Sequence, residues 1–289
     1  MGKVKKILRK IIFCRDNETI LDCLNRHKYH FLKKIYFKKF SIDDFEESLK
    51  KVGIGSGDII FLQSSWRPFI GFQGKPEDVI EAILNIIGDD GVLMVPSFSG
   101  DEKKIDIKND SSKLGIISEE FRKNYSSIRS LDAFFPISGK GKNVNCFLEK
   151  HVNSKKPFDS DSPLNKLLEK NGKLLFLGLG KTPYKVSMIH LFTTLQSEKQ
   201  SFYKNCYTKT ITSEIIGPHQ NFQKKVIVRN HNCSNNNKLI KKMMKNVKHE
   251  STKLCLLDLY VCESQTLFNE MNLLDKKNFR FYKVKKGKG

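Results

Sequence analysis

The sequence predicts an α/β fold in which a central, largely parallel or mixed sheet is flanked by helices, with a smaller C-terminal α+β portion from about residue 203. The first observation is a strand–helix–strand pattern within residues 57–99. The second is another short apolar run at residues 174–177, closed by Gly-Leu-Gly. Short apolar runs bounded by turn residues are typical of strands that are buried on both faces, as in parallel sheets.

The strand–helix–strand unit has clear boundaries. Residues 59–62 are an apolar run, and residues 92–95 are a second run that ends at Pro96. Between them, Pro76 is suited to the first turn of a helix, and Gly88 is suited to its end. Two strands joined by a helix are expected to be parallel, with a right-handed crossover.

Three regions make up the expected domain organisation. Residues 1–40 are expected to form a basic helical N-terminal extension, and residues 1–13 place their apolar side chains on one helical face between basic ones. Such a helix either lies on an anionic membrane surface or packs on protein, and both interpretations stay open. Ser41 starts a Ser-x-x-Asp capping box and opens the main domain, residues 41–282. Residues 283–289 form a basic tail that is expected to be disordered.

The composition predicts a strongly basic globular protein. The formal net charge is +21, which favours polyanionic partners. The lysines are scattered rather than gathered in a groove with aromatic residues, so nucleic acid is not the expected partner. The seven cysteines include no close pair, which argues against a disulfide framework or a zinc site and indicates a cytoplasmic location. No apolar run reaches the ~18 residues of a membrane span.

Polar loops follow the three predicted parallel strands. The candidates on these loops are Ser64, Ser65 and Arg67 after the first strand, Ser97 and Ser99 after the second, and His190 beyond the third. Ligands bind beyond the carboxyl ends of parallel strands, so these side chains are expected to converge on one crevice that holds a phosphate-bearing ligand. The alternative is that the serines only end strands and cap helices.

His190 is the candidate general base. With Ser187 as the N-cap, it lies at the third position of a helix, where the positive helix end favours a neutral imidazole. The alternative is a core histidine that is satisfied by hydrogen bonds. His151 is expected on the surface after a helix. Gly180-Lys181-Thr182 lacks the first glycine of a phosphate-binding P-loop, and no zinc signature is present, so neither a nucleotide site of that kind nor a metal is expected.

Four segments form a pattern in chain order. Residues 57–99 contain a Ser-Ser-x-Arg loop and a strand ending in Pro-Ser-Phe-Ser, and residues 114–130 contain Gly-x-x-x-Glu-x-x-Arg followed by Arg-Ser. A Ser-Pro loop lies in residues 157–167, and an apolar strand precedes Ser-Met-Ile-His-Leu in residues 173–191. Over roughly residues 41–210 this pattern resembles the aminoglycoside 3-N-acetyltransferase family, in a version similar to members from surface-polysaccharide pathways.

The resemblance implies acetyl-CoA as the acyl donor and an amine on a sugar ring as the acceptor. It assigns the catalytic histidine to His190. It implies that the following residues line the donor path or close it: Ser64, Ser65, Arg67, Ser97, Ser99 and Ser162. Direct transfer in a ternary complex is expected, with loop N–H groups stabilising the developing oxyanion.

This chain departs from the family pattern at three places. Many relatives have His, His-Pro and a carboxylate where this chain has Gln63, Asp132-Ala133 and Thr193. A carboxylate beside a catalytic histidine orients the ring and stabilises its charged form. Asp161 or Glu198 would have to replace it here.

Two functions of different classes follow. The first is an acetyl-CoA-dependent N-acetyltransferase acting on an amino sugar or aminoglycoside. Because aminoglycosides are polycations, the +21 charge favours an anionic, nucleotide-linked sugar. The alternative is a catalytically impaired relative that binds an acyl-CoA or glycan, or scaffolds surface-polysaccharide assembly. The cysteines favour the cytoplasm for either protein, and the membrane interpretation of the basic N-terminus adds peripheral contact with the inner face of the membrane.

Overall fold

A seven-stranded mixed sheet forms the centre of the computed structural model, which describes residues 3–15 and 20–285. The strands are β1 (Ile59–Ser64), β2 (Val92–Pro96), β3 (Lys104–Asp106), β4 (Ile128–Arg129), β5 (Ile137–Gly141), β6 (Lys173–Leu177), β7 (Lys209–Ile216), β8 (Asn221–Val228), β9 (Cys233–Asn235), β10 (Glu250–Leu254), β11 (Leu257–Glu263) and β12 (Tyr282–Val284). The helices are α1 (Lys3–Ile11), α2 (Ile20–Ile35), α3 (Ile42–Lys51), α4 (Pro76–Ile87), α5 (Ile116–Glu120), α6 (Asn145–Leu148), α7 (Pro163–Glu169), α8 (Met188–Gln196), α9 (Ser201–Lys204), α10 (Asn237–Asn246) and α11 (Ser264–Lys276).

The strand order of the central sheet is β10-β11-β6-β1-β2-β5-β4. The inner strands β6, β1 and β2 are parallel, which confirms the prediction from the three apolar runs. Antiparallel strands complete both sides, with β11 next to β6 and β5 next to β2. The carboxyl ends of β6, β1 and β2 therefore meet at one edge, and the three polar loops leave the sheet there.

Both faces of the sheet are covered, as the predicted α/β class requires. Alternate residues of one strand point to opposite faces. Phe61 and Met94 enter one apolar core, and Leu62 and Val95 enter the other. At about 25 cal/mol per Å² of buried apolar surface, these two cores supply the main stabilisation of the sheet.

The predicted helix boundaries in the first half of the chain are confirmed. Ser41 caps α3 in a capping box with Asp44. Pro76 is the first residue of α4, and Gly88 ends that helix with a φ of 65°. A π-helical turn, Phe121–Tyr125, continues α5 and precedes the short strand β4.

The C-terminal portion is divided between the central sheet and smaller sheets. Residues 250–263 form two strands, β10 and β11, because Cys255 turns the chain between them with a φ of 55°. The strands β7 and β8 form a three-stranded sheet with β3, and β12 pairs with β9. The expected disorder of the tail is therefore corrected for residues 283–284, which belong to β12; residues 286–289 lie outside the described chain.

The N-terminal extension contains α1 and α2, in agreement with its predicted helical character. Residues 1–2 and 16–19 of it lie outside the described chain. Within residues 3–15 and 20–285, no helix combines the length and the apolarity that a membrane crossing needs.

Candidate functional site

A cavity of about 570 Å³ lies beyond the carboxyl ends of β1 and β2 and is the candidate donor cavity. Ser64, Ser65 and Arg67 line it from the loop after β1. The facing wall comes from residues 113–116, at the start of α5. The structure thus brings together three of the predicted donor residues, at the sheet edge where the sequence placed them.

The loop after β1 is fixed by its contact with β6. The Ser65 N–H donates to the Leu177 carbonyl oxygen over 2.9 Å. Gly178 follows with a φ of 68°, and a Cβ at this position would lie 2.5 Å from the Ser65 carbonyl oxygen. Only glycine fits this backbone conformation and this close approach without strain. The Gly-Leu-Gly turn therefore holds the serine loop in place.

The Gly-x-x-x-Glu-x-x-Arg segment supports the facing wall of the donor cavity. Arg122 binds both carboxylate oxygens of Glu119 at 2.8 Å, and Glu119 also accepts the Ser112 N–H. Arg129, which is buried, donates to the carbonyl oxygens of Ile107 and Asp110 at 3.1 and 2.7 Å. Burial lowers the pKa of Arg129 to about 10. These residues hold residues 107–112 in place and do not line the donor cavity themselves.

Ser97 and Ser99 do not occupy the cavity wall, which corrects their expected place. Ser97 is fully buried, and its hydroxyl accepts from Arg129 and Ser138 and donates to the Pro136 carbonyl oxygen. It therefore joins β2, β4 and β5. The Ser99 hydroxyl is buried and has no partner among the described residues. Instead, Val95 and Pro96 are the residues of β2 that line the donor cavity.

Ser162 is also corrected, because it is a helix cap. It is 2% exposed; its hydroxyl donates to the Asp159 carbonyl oxygen and accepts the Asn165 N–H at the start of α7. The Ser-Pro loop still reaches the site, since Pro157 and Phe158 line a second cavity.

This second cavity, of about 270 Å³, is the candidate acceptor cavity. His190 lines it from the first turn of α8, whose N-cap is Ser187 as predicted. The remaining wall comes from the residues just before α8 and from several other segments, and most of its side chains are aromatic or polar. They are Gln63, Phe134, Phe135, Pro157, Phe158, Lys185, Val186, Ser187, Tyr207, Arg229, Asn235 and Tyr282.

The two cavities share their inner wall. Gln63, Phe135, Lys185 and Ser187 line both. The Gln63 amide is held at both ends, because its Nε2 donates to the Lys185 carbonyl oxygen and its Oε1 accepts the Ser187 N–H, each at 3.0 Å. Gln63 thereby joins the end of β1 to the start of α8. A ligand atom that reaches the shared wall from one cavity therefore lies next to the other cavity.

A chain of hydroxyl groups binds His190 on the side of Nδ1. Nδ1 lies 2.7 Å from the Tyr282 hydroxyl, and this lies 3.0 Å from the Tyr207 hydroxyl. The Tyr207 hydroxyl then contacts the hydroxyls of Thr193 and Thr194 at 2.9 and 3.1 Å. Thr193 therefore belongs to a network that orients His190, although it lacks the carboxylate of the family pattern. Neither Asp161 nor Glu198 lines the acceptor cavity.

The donor directions in this chain favour one tautomer. Thr193 Oγ1 donates to the His190 carbonyl oxygen, and Thr194 donates to Tyr207. These two bonds are kept, and the three other contacts of the chain are also satisfied, when Nδ1–H donates to Tyr282, Tyr282 donates to Tyr207, and Tyr207 donates to Thr193. The opposite direction breaks the bond from Thr193 to the carbonyl oxygen. The favoured arrangement leaves Nε2 unprotonated, and Nε2 forms no hydrogen bond with the described residues.

Electrostatics keep His190 and its partners uncharged. Burial, reinforced by the positive charge of Arg229, lowers the pKa of His190 to about 3. Burial also holds the pKa of Tyr282 well above its usual value and raises that of Tyr207. The imidazole is therefore neutral throughout the physiological range, so it is able to accept a proton but holds the proton weakly.

His151 is fully buried, so its predicted surface position is wrong. Its Nδ1 contacts the Ser130 hydroxyl at 2.8 Å and its Nε2 contacts the Pro157 carbonyl oxygen at 3.1 Å. Lys224 donates to the His151 carbonyl oxygen and to Asp132 at 2.7 and 2.9 Å. Asp132 is thus half of a buried ion pair, and its Oδ1 accepts the N–H groups of Phe134 and Phe135, which line the acceptor cavity.

Several residues of the site were missed from the sequence. Tyr207, Arg229 and Tyr282 reach the acceptor cavity from the loop before β7, the end of β8 and β12. Tyr29 of α2 lines a cavity of about 190 Å³ together with Ser65 and Arg67, so the N-terminal extension extends the donor side. These contacts depend on tertiary packing, and no local motif marks them. The loop N–H groups expected to bind an oxyanion are used within the protein at Ser65, Ser97 and Ser187.

Comparison with known proteins connects this geometry to one family. The family model described as aminoglycoside 3-N-acetyltransferase matches residues 61–274. Aminoglycoside N(3)-acetyltransferase IV from Salmonella sp is 27% identical over 135 residues, which are 46% of this chain and 51% of that protein. The aligned part therefore spans about half the length of this curated relative.

Solved structures share the fold. Aminoglycoside acetyltransferase AAC(3)-IVa, as an apoenzyme, has a TM-score of 0.67 at 18% identity, over 85% of this chain and 92% of its own. AAC-IIIb, in a binary complex with CoASH, has a TM-score of 0.70 at 14% identity, over 84% and 98%. The YokD protein from Bacillus subtilis has a TM-score of 0.66 at 17% identity, over 82% and 99%.

The match of the family model over most of the chain decides the assignment. It confirms the family that the sequence motifs predicted, and the structural similarity confirms the fold class. This chain belongs to the aminoglycoside 3-N-acetyltransferase family of N-acetyltransferases.

Proposed function

We propose that this protein transfers the acetyl group of acetyl-CoA directly to an amino group of an amino sugar, with His190 as the general base. The observation that carries the proposal is the shared inner wall of the two cavities. It lets a thioester in the donor cavity meet an amine in the acceptor cavity beside His190. Ser64, Ser65 and Arg67 would bind the pantetheine and phosphate groups of the donor.

The chemistry needs one base and no covalent intermediate on the protein. The neutral amine attacks the thioester carbon, Nε2 of His190 takes the N–H proton, and the C–S bond breaks. The CoA thiolate leaves and takes the proton from the His190 imidazolium, which gives CoASH and the N-acetyl sugar and restores the neutral imidazole. No cysteine is among the described residues that line either cavity, which supports direct transfer.

A non-catalytic acyl-CoA or glycan binder remains the second candidate. The observation that favours it is the pKa of His190, which is lowered to about 3 and has no carboxylate beside it to stabilise the imidazolium. A base that holds a proton so weakly contributes less to catalysis than one matched to neutral pH.

Release of CoA thiol distinguishes these functions. Purified protein is mixed with acetyl-CoA, first alone and then with a panel of amino sugars and aminoglycosides. Direct transfer predicts thiol release only when an acceptor is present. A stoichiometric burst without acceptor would contradict direct transfer. CoA binding without turnover of any acceptor would contradict the enzyme assignment and support the binder.

We also propose that α1 lies on an anionic membrane surface, which would place the enzyme at the inner face of the membrane. Ile7, Ile11 and Phe13 are 58%, 66% and 78% exposed, and basic residues such as Arg9 and Lys10 lie beside them. Exposed apolar groups flanked by cations are suited to an anionic lipid interface.

Vesicle co-sedimentation tests the membrane proposal. The expected result is binding to vesicles with anionic lipid and loss of binding in the double variant Ile7→Asp, Ile11→Asp. Leu273→Asp is the matched control, because Leu273 is 54% exposed on α11. Equal sedimentation of both variants, or equal binding to neutral vesicles, would contradict the proposal.

A further inference from the structure

The acceptor cavity has an unusual charge for a site that binds amines. It contains the cationic side chains of Arg229 and Lys185, and none of the described residues that line it carries a carboxylate. A polycationic acceptor placed there would meet the like charge of Arg229, and the described residues that line the cavity include no carboxylate to compensate it. The local charge therefore has the same sign as the +21 charge of the whole chain.

Arg229 is held in place for an anion. Its guanidinium lies 5.1 Å from the centre of the Tyr282 ring, and Nη1 donates to Asn235 Oδ1 over 2.6 Å. Among the described residues, Arg229 forms no ion pair with a carboxylate. Stacking and one bond to a neutral amide orient the planar group, and they leave its charge uncompensated. A planar guanidinium of this kind is well suited to bidentate recognition of phosphate or carboxylate.

We infer that the acceptor is an amino sugar that carries an anionic group, phosphate or carboxylate, and that Arg229 is the residue that binds this group. The inference rests on the proposed function and narrows its substrate class. Asn235 and Tyr282 position Arg229. The amine then lies toward His190, and the anion lies toward Arg229.

An anionic acceptor would also assist the base. The positive charge of Arg229 is one of the two causes that lower the pKa of His190. A bound phosphate or carboxylate compensates that charge, so the imidazolium that forms during transfer becomes less unfavourable. The same contact would therefore contribute to binding and to proton acceptance.

Acceptor selectivity tests the inference. With acetyl-CoA at saturation, kcat/KM is measured for glucosamine, glucosamine 6-phosphate, an amino hexuronic acid and an aminoglycoside. We expect at least one anionic sugar to exceed glucosamine by tenfold or more, and the aminoglycoside to be the poorest acceptor. Comparison of glucosamine 6-phosphate with the amino hexuronic acid shows whether the site prefers a phosphate or a carboxylate.

Substitutions of Arg229 assign the selectivity to that residue. Arg229→Gln is expected to lower the ratio of kcat/KM for the anionic sugar over glucosamine at least tenfold, and Arg229→Lys is expected to keep part of it. Lys51→Gln on α3 removes the same charge away from both cavities and is the control for the global field. A ratio near one in the wild type, or a ratio unaffected by Arg229→Gln, overturns the inference. Turnover of glucosamine would still support the proposed function.

Discussion

The donor cavity and the acceptor cavity meet at Gln63, yet they are built in different ways. The donor cavity is lined largely by two short segments, residues 62–67 and 113–118. The acceptor cavity combines side chains from the central sheet edge with Tyr207, Arg229 and Tyr282, which lie far along the chain. The difference teaches that the donor side of this protein is a local feature of sequence, whereas the acceptor side is a product of tertiary packing.

The largest effect is expected from His190→Gln, which keeps polarity but removes the base. We expect kcat/KM for the best acceptor to fall by about 10²-fold, the lower end of the usual contribution of a positioned proton acceptor, because His190 holds the proton weakly. CoA affinity should stay unchanged, because His190 lines only the acceptor cavity. The measurement is thiol release, together with calorimetric CoA binding.

The exposed His219 provides the matched control, as His219→Gln. Full activity of His190→Gln would remove the proposed base. Loss of CoA binding in the same variant would contradict the separation of the two sides.

The next effect is expected from Tyr282→Phe, which removes one hydroxyl and keeps the ring that stacks on Arg229. Nδ1–H of His190 then loses its acceptor, and an unsatisfied buried donor costs about 1–3 kcal/mol. We expect kcat to fall roughly tenfold with little change in the KM for acetyl-CoA. Tyr260→Phe is the control, because Tyr260 is equally buried and donates to the Met244 carbonyl oxygen. Equal effects of the two substitutions would indicate a stability defect only.

A smaller effect is expected on the donor side from Arg67→Gln. Loss of a charged contact to a CoA phosphate should raise the KM for acetyl-CoA roughly tenfold, since such contacts contribute about 1.5–3 kcal/mol. The effect should disappear with an acetylated pantetheine donor that lacks the nucleotide phosphates. An equal rise in KM for the truncated donor would show that Arg67 does not act by binding a CoA phosphate.

The smallest effect is expected from Ser162→Ala. Removing an N-cap hydroxyl costs about 1 kcal/mol of folding free energy. Because Ser162 is buried in its cap and lines neither cavity, the KM for both substrates should be unchanged. Chemical denaturation measures the change in folding free energy, and steady-state kinetics measure the KM for each substrate. A raised KM for acetyl-CoA would restore the role that the family resemblance gave to Ser162.

The same comparison explains what the sequence could predict. Apolar runs and turn residues were enough to predict β1, β2 and β6, and with them the edge where Ser64, Ser65 and Arg67 lie. They could not predict that Ser97 points into the sheet, since its neighbours Arg129 and Ser138 come from other strands. Tyr282 escaped notice because β12 is formed by pairing with β9, and the sequence around it reads as a basic tail.

The central claim is that His190 is a neutral base whose Nδ1–H is held by uncharged hydroxyl groups. Nuclear magnetic resonance of ¹⁵N-labelled histidine in the free enzyme tests it directly, with the His190 signals assigned from their absence in His190→Gln. We expect the neutral tautomer with the proton on Nδ1 and no titration of His190 as the pH falls from 8 to about 5, because burial lowers its pKa to about 3. A midpoint near 6.5, or a proton on Nε2 in the neutral ring, would contradict it.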